Sequence, residues 1–361
     1  MTPAAAHARV GTLVDAARSL VTDRDGRFAP SDALCLALER ASGLSPENVR
    51  WALANALEWR ADDDAIKELV AHAGPPVAGP LVLVLSANVT TAALRALACA
   101  AARAEEVLVY PSSRDAVLAR ELVERAALPG LRCLSSRDEL PLDDAHACVV
   151  LYGSAATARA LRPLVRGTLE VHGPGLGVAV LDDATTDAEL AALAEDIVAF
   201  DQRGCLSPRL AVHIGTPERG RDLAAGLFAS LEALGATRPL GLVDEDERHR
   251  RTLSLAAARA IGDVWASDRS AVVHEVCAPA SPSSSPRSIT VHTARSREEA
   301  EAWLAPLGAL VSAIGAQDEG LRDGLLPGFS LRRCALGAMQ RPPFDGPVDR
   351  RPHGPVADVS R

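Results

Sequence analysis

The 361-residue chain is long enough for two domains, and 48% hydrophobic with 24% charged residues describes a globular protein with a real core. A net charge of -9 argues against a nucleic-acid-binding surface, and 3% aromatic residues argues against base-stacking platforms. Seven cysteines, odd in number and without a C-x-x-C pair, fit a reducing compartment better than a disulfide framework or a zinc site. The histidines form no paired ligand spacing, so no metal is expected. No apolar run reaches spanning length and no basic-then-apolar leader opens the chain, so a cytoplasmic protein without a membrane span is expected.

Residues 1–75 read as helical. Ser31 is placed to cap one helix, and Ser45-Pro46-Glu47 combines a capping hydroxyl, a first-turn proline and a carboxylate at the positive dipole end. The run Gly74-Pro75-Pro76-Val77-Ala78-Gly79-Pro80 marks a boundary. Strand and helix then alternate: strands over 81–85, 106–110, 147–152 and 176–181, helices over 89–104, 113–127, 155–164 and 188–200. Continuous apolar strands separated by helices predict a parallel sheet covered on both faces, with ligands at the strands' carboxyl ends. Further on, helices are expected over 218–234, 250–261 and 297–304, and strands over 271–276, 289–292 and 307–314. The serine/proline run 281–288 reads as a surface loop or flexible insertion, and the proline-rich end as irregular.

Four short segments carry chemistry. Cys205 follows a glycine between a helix and a strand, where a thiol can be exposed and gain thiolate character; a buried structural thiol is the plain reading. Asn88 follows the first strand and can donate to an oxyanion or simply start a helix. Gly153-Ser154 opens a helix and suits a phosphate or an ordinary cap. His172, in the glycine-rich turn 172–175, can act as a base or lie in solvent.

In this order the segments resemble the aldehyde dehydrogenase superfamily, and within it the LuxC-like fatty acyl-CoA reductases, over about residues 45–346. Leu85-Ser86-Ala87-Asn88-Val89 is similar to the oxyanion-asparagine segment, and Val109-Tyr110-Pro111-Ser112-Ser113 to the strand end that holds the cofactor ribose. Leu151-Tyr152-Gly153-Ser154 is similar to the turn near the cofactor phosphates, and Gln202-Arg203-Gly204-Cys205 to the nucleophile segment. The closest likeness to the reductases lies in residues 201–209, joined by Leu336-Gly337-Ala338-Met339-Gln340-Arg341-Pro342-Pro343. Several departures stand out. Tyr110 replaces a lysine, and His172 stands where hydrolytic relatives carry a glutamate. The late glutamate that holds the nicotinamide ribose is not evident.

The resemblance implies an aldehyde-dehydrogenase-like α/β fold: an N-terminal helical segment (1–75), a Rossmann-type NAD(P)-binding parallel-sheet domain (76–200), an α/β catalytic domain (201–335) and a C-terminal segment (336–361). It implies Cys205, Asn88 and His172 as catalytic residues. Tyr110, Pro111, Ser112, Gly153, Ser154, Thr157 and Gly173 would bind NADPH or NADH. A site without a hydrolytic carboxylate suits reduction of an acyl-CoA or acyl-carrier-protein thioester to a long-chain fatty aldehyde through a thioester intermediate. The resemblance also implies a homodimer. Two alternatives stay open: an acylating aldehyde dehydrogenase for a short or carrier-bound acyl group, and a non-catalytic family member acting as a binding protein.

Overall fold

Side-chain caps start the N-terminal helices where the sequence places them. In the computed structural model, which describes residues 1–279, 282, 283 and 285–351, Ser31 Oγ accepts from Leu34 N to open α2 (Asp32–Ser42). Ser45 Oγ accepts from Asn48 N ahead of α3 (Pro46–Asn55). With α1 (Pro3–Val21) and α4 (Asp63–His72), these helices place Val10, Leu13, Leu38, Leu53 and Leu69 in one apolar cluster.

That cluster covers one face of a five-stranded, all-parallel sheet of order β3-β2-β1-β4-β5. Its strands are β1 (Leu81–Val84), β2 (Val107–Tyr110), β3 (Leu131–Cys133), β4 (Cys148–Tyr152) and β5 (Thr168–His172). Alternation along β1 sends Leu81 and Leu83 to the helical face and Val82 and Val84 to the other, where Leu108, Leu151 and Leu161 meet them. Helices α5 (Ala92–Arg103), α6 (Val117–Ala126) and α7 (Ala155–Leu161) complete this half. Burying both faces is what continuous apolar strands require.

The second sheet has seven strands, ordered β12-β11-β6-β7-β10-β9-β8, parallel except for the β8–β9 pair. It is built from β6 (Leu176–Asp182), β7 (Pro208–Ile214), β8 (Asp263–Ala266), β9 (Ala271–Glu275), β10 (Ser288–Ala294), β11 (Val311–Gly315) and β12 (Arg332–Cys334). Helices α8 (Asp187–Val198), α9 (Pro217–Thr237), α10 (Glu245–Ala258), α11 (Arg297–Leu304) and α12 (Glu319–Gly324) accompany it. The architecture is α/β with a Rossmann-like parallel sheet and a second sheet.

Several elements differ from expectation. β6 and α8, read as continuing the first sheet, belong to the second: β6 pairs with β7 and β11, and α8 packs on α9. The helix expected from residue 89 starts at Ala92, and the one expected from 113 starts at Val117. β3, β5 and β8 are short or flanked by polar residues and give no strand signal. The run read as a surface loop contains buried Ser285 and Arg287; its residues 281 and 284 lie outside the described part. No helix among the described residues is long and apolar enough to cross a membrane.

Candidate active site

The segment leading to Cys205 is held in an unusual conformation. Phe200, Asp201 and Gln202 all have left-handed φ angles of 53°, 50° and 63°. Each such non-glycine residue costs roughly 1–2 kcal/mol, so neighbouring contacts must hold the turn. Asp201 lies fully within the protein, where its Oδ1 accepts from Arg287 Nη2 (2.7 Å), Arg287 Nε (3.0 Å) and Asn48 Nδ2 (3.2 Å). Its Oδ2 accepts from Gly241 N at 3.1 Å. Gln202 donates to Pro208 O (2.6 Å) and Ser288 O (2.9 Å) and accepts from Ser288 N (2.9 Å). These bonds fix the chain three residues ahead of Cys205.

The approach of β6 sets the other side of the loop. Gly177 N donates to Ser207 O at 2.9 Å, and a Cβ on Gly177 would lie 2.3 Å from Leu206 O. The hydroxyl of Ser312 on β11 donates to Cys205 O. Cys205 therefore sits where the second sheet meets the carboxyl ends of β1, β4 and β5, on a cleft of about 550 Å³.

Six predicted residues share that cleft: Asn88, Gly153, Ser154, His172, Gly173 and Cys205. Asn88 is exposed on its wall and precedes α5 by four residues, so it caps no helix. His172 is buried and ends β5 rather than lying in a glycine turn; it stacks on Tyr152 at 4.3 Å between ring centroids. The pairing of β4 with β5 places these two rings side by side. Ser154 Oγ caps α7 by accepting from Thr157 N at 3.1 Å, and the Thr157 hydroxyl meets it at 3.0 Å. Tyr110, Pro111, Ser112 and Thr157 do not line the cleft. Tyr110 turns to the opposite face of its sheet, against the apolar cluster of Val82, Leu108 and Leu151.

Burial, reinforced by the negative charge of Asp349, pushes the Cys205 thiol up to about 11, although Arg351 and Arg332 oppose the shift.

Asp349 is the residue the sequence reading missed. The proline-rich end is not loose coil: it is a strap pinned at four places. Asp196 of α8 accepts from Gly337 N (2.6 Å) and Gln340 N (3.4 Å). Arg95 of α5 donates to the carbonyls of Pro342 (2.8 Å), Pro343 (2.7 Å) and Gly346 (3.0 Å). Arg332 donates to Val348 O (2.7 Å) and Pro347 O (2.6 Å). Arg351 donates to both Asp349 oxygens (2.7 and 2.8 Å) and to Gly173 O and Pro174 O, just beyond His172. The strap thus adds Gln340, Val348 and Asp349 to the cleft. Burial opposes the charge on Asp349, but the hydrogen bonds and charge of Arg351, with His172 contributing, hold its carboxyl below the usual range.

Residues 78–278 match the family model for LuxC acyl-CoA reductase. The chain belongs to the LuxC acyl-CoA reductase family. It is thus an oxidoreductase of acyl-thioester and aldehyde chemistry. No curated protein matches the sequence. Among solved structures, the fold is similar to aldehyde dehydrogenase 21 from Physcomitrella patens, in complex with the reaction product succinate (TM-score 0.69, 15% identity, 98% of this chain and 81% of that one). HpcC from Thermus thermophilus is similar at TM-score 0.68, with 15% identity over 92% of this chain and 74% of its own. An NAD-dependent benzaldehyde dehydrogenase from Corynebacterium glutamicum matches at TM-score 0.64, with 17% identity over 90% and 78%. This LuxC-family chain therefore has the aldehyde dehydrogenase fold.

Proposed function

We propose that this LuxC-family chain reduces an acyl-CoA or acyl-carrier thioester to the aldehyde with NADPH or NADH, through an acyl-enzyme on Cys205. The observation that carries the reading is Cys205, His172 and Asp349 on the wall of one cleft. When bound, the nicotinamide supplies a hydride to the acyl carbon. The cleft fits such a group: Gly153 and Gly173 leave its wall without side chains at the ends of β4 and β5. Arg203 and Arg209 also line it, donating to backbone carbonyls, and neither pairs with a carboxylate among the described residues. Their charge suits the phosphates of a nucleotide or of CoA.

A thiol held near 11 needs a base at the moment of attack. His172 takes the Cys205 proton, and Asp349 favours the resulting imidazolium by its charge, as a carboxylate does in a nucleophile–histidine–acid triad. The Cys205 sulfur bonds to the acyl carbon, and the C–S bond to CoA or the carrier breaks. The leaving thiolate takes the proton from His172. Asn88 Nδ2 and the Cys205 N–H hold the oxyanion in both tetrahedral states. After reduction, the bond from Cys205 to the substrate carbon breaks, the aldehyde leaves, and the sulfur regains a proton from solvent. In sum, thioester, reduced nicotinamide and one proton give aldehyde, free thiol and oxidised nicotinamide.

The deciding experiment is intact-protein mass spectrometry after brief incubation with acyl-CoA of several chain lengths and no reduced cofactor. An acyl adduct mapped to Cys205, discharged as aldehyde on adding NADPH or NADH, is expected, and Cys205→Ala should stay folded without adduct. A folded wild-type protein that forms no adduct with CoA or carrier thioesters favours the non-catalytic reading. The chain length that acylates fastest separates long-chain from short-chain substrates.

A further inference from the structure

Away from the cleft, the pairing of β9 with β10 sets His292 directly beside Glu275. Two residues later, where the chain leaves β9, Cys277 joins them. Glu275 Oε2 lies 3.5 Å from His292 Nδ1 and 3.6 Å from Cys277 Sγ. All three ligand atoms lie within 4.8 Å of one another.

These separations have a physical meaning. With Zn–O and Zn–N bonds of about 2.1 Å and Zn–S of about 2.3 Å, tetrahedral geometry gives edges of roughly 3.4 Å between O and N and 3.6 Å between O and S. Both distances fall within about 0.1 Å of those values. The third pair, Cys277 Sγ and the His292 nitrogen, lies within 4.8 Å.

The electrostatics point the same way. Glu275 is 9% exposed, and among the described residues no arginine or lysine forms an ion pair with it. A buried carboxylate is costly without a cation or a full set of hydrogen bonds. His292 is 2% exposed, and an uncharged imidazole is the form that ligates metals. Nδ1 faces the cluster and the Cys277 carbonyl at 3.0 Å, while Nε2 is buried without a partner.

We infer that Glu275, Cys277 and His292 form a site for a zinc-class divalent cation, with a fourth position open to water. Oxygen, sulfur and nitrogen donors together suit zinc better than magnesium or calcium. On binding, the Cys277 thiol releases its proton to solvent, His292 Nδ1 gives up its hydrogen bond to the Cys277 carbonyl, and the ring proton moves to Nε2. Carboxylate and thiolate then balance the two charges of the ion. The site stands at the root of the β9–β10 connection. Further along that connection, Ser283 N donates to Arg209 O (3.3 Å), Arg209 Nη1 donates to Ser283 O (3.1 Å), and Pro282 and Ser283 line the cleft.

The test is titration of the chelator-treated full-length protein with Co²⁺, followed by displacement with Zn²⁺. One equivalent should bind, with a sulfur-to-cobalt charge-transfer band in the near ultraviolet that zinc removes. Cys277→Ser, a change at an exposed side chain, should abolish the band, and His292→Gln should weaken binding at least tenfold. Cys205→Ser should leave the band intact. A folded wild-type protein with no saturable band overturns the assignment. A band that survives Cys277→Ser comes from another thiol and overturns it equally.

Discussion

Arg287 grips Asp201 through two nitrogens, at 2.7 and 3.0 Å, with both side chains almost entirely buried beneath the nucleophile loop. Asp201 lies in the left-handed turn, and Arg287 immediately precedes β10. The pair ties the turn that presents Cys205 to the sheet that supports it.

Arg287→Met should therefore destabilise the protein strongly. Removing one partner of a buried ion pair leaves an uncompensated charge, typically costing about 3–5 kcal/mol. Urea denaturation of the variant is the check. A loss under roughly 1 kcal/mol, in the range of an exposed ion pair, would show that the turn does not depend on this pair.

Asp349→Asn should separate thiol acidity from turnover. The Asp349 charge raises the Cys205 pKa, so its removal lowers it and alkylation by iodoacetamide at pH 8 should speed up. In the wild-type protein alkylation should keep rising with pH towards about 11. The same variant should lose acyl reduction, because the imidazolium of His172 loses its partner. Slower alkylation would show that the sign of this interaction is wrong.

Gly177→Ala should displace Cys205. The added methyl meets the Leu206 carbonyl, a backbone atom with no room to yield. A misplacement of about 1 Å can cost on the order of a hundredfold in rate. Single-turnover acylation should fall by that order, and wild-type acylation would rule out a tight β6–loop contact.

Asp196 makes the strap's anchor sensitive to pH. Burial raises its carboxyl to about 7 against the bonds from Gly337 and Gln340, well above the 3.8 of an unperturbed aspartate. The folded state then holds the proton more tightly than the unfolded chain. The stability from this group is complete below about pH 4 and is lost as pH rises through about 7, with roughly 4 kcal/mol at stake. Asp196→Asn should remove that part of the pH–stability profile. An unchanged slope between pH 4 and 7 would locate the dependence elsewhere.

Asn88→Ala tests the oxyanion assignment. Loss of one such donor should lower kcat by a factor of roughly 10² to 10³. A change under about threefold would remove Asn88 from the mechanism.

Much of this protein is written locally. Caps at Ser31 and Ser45, apolar strands at 81–84 and 148–152 and the Gly204-Cys205 pair are short-range features, so periodicity and residue chemistry disclose them. The order of the motifs disclosed the family. What escaped depends on distant partners. Strand β5 has exposed and half-buried residues over most of its length, and only its pairing with β4 makes it a strand. Membership of β6 in the second sheet is set by its neighbours β7 and β11. Asp349 reads as a polar residue in a proline-rich tail until Arg95, Arg332 and Arg351 bind the strap's carbonyls and bring it to Cys205 and His172. Glu275 and His292 lie seventeen positions apart and match no ligand spacing, yet the β9–β10 register makes them neighbours. The sequence by itself determined the helix caps and the apolar strands 81–84 and 148–152, because those follow from the properties of adjacent residues. The tertiary structure decided the thiol's acidity and its companions, because burial and charge depend on what other parts of the chain bring alongside.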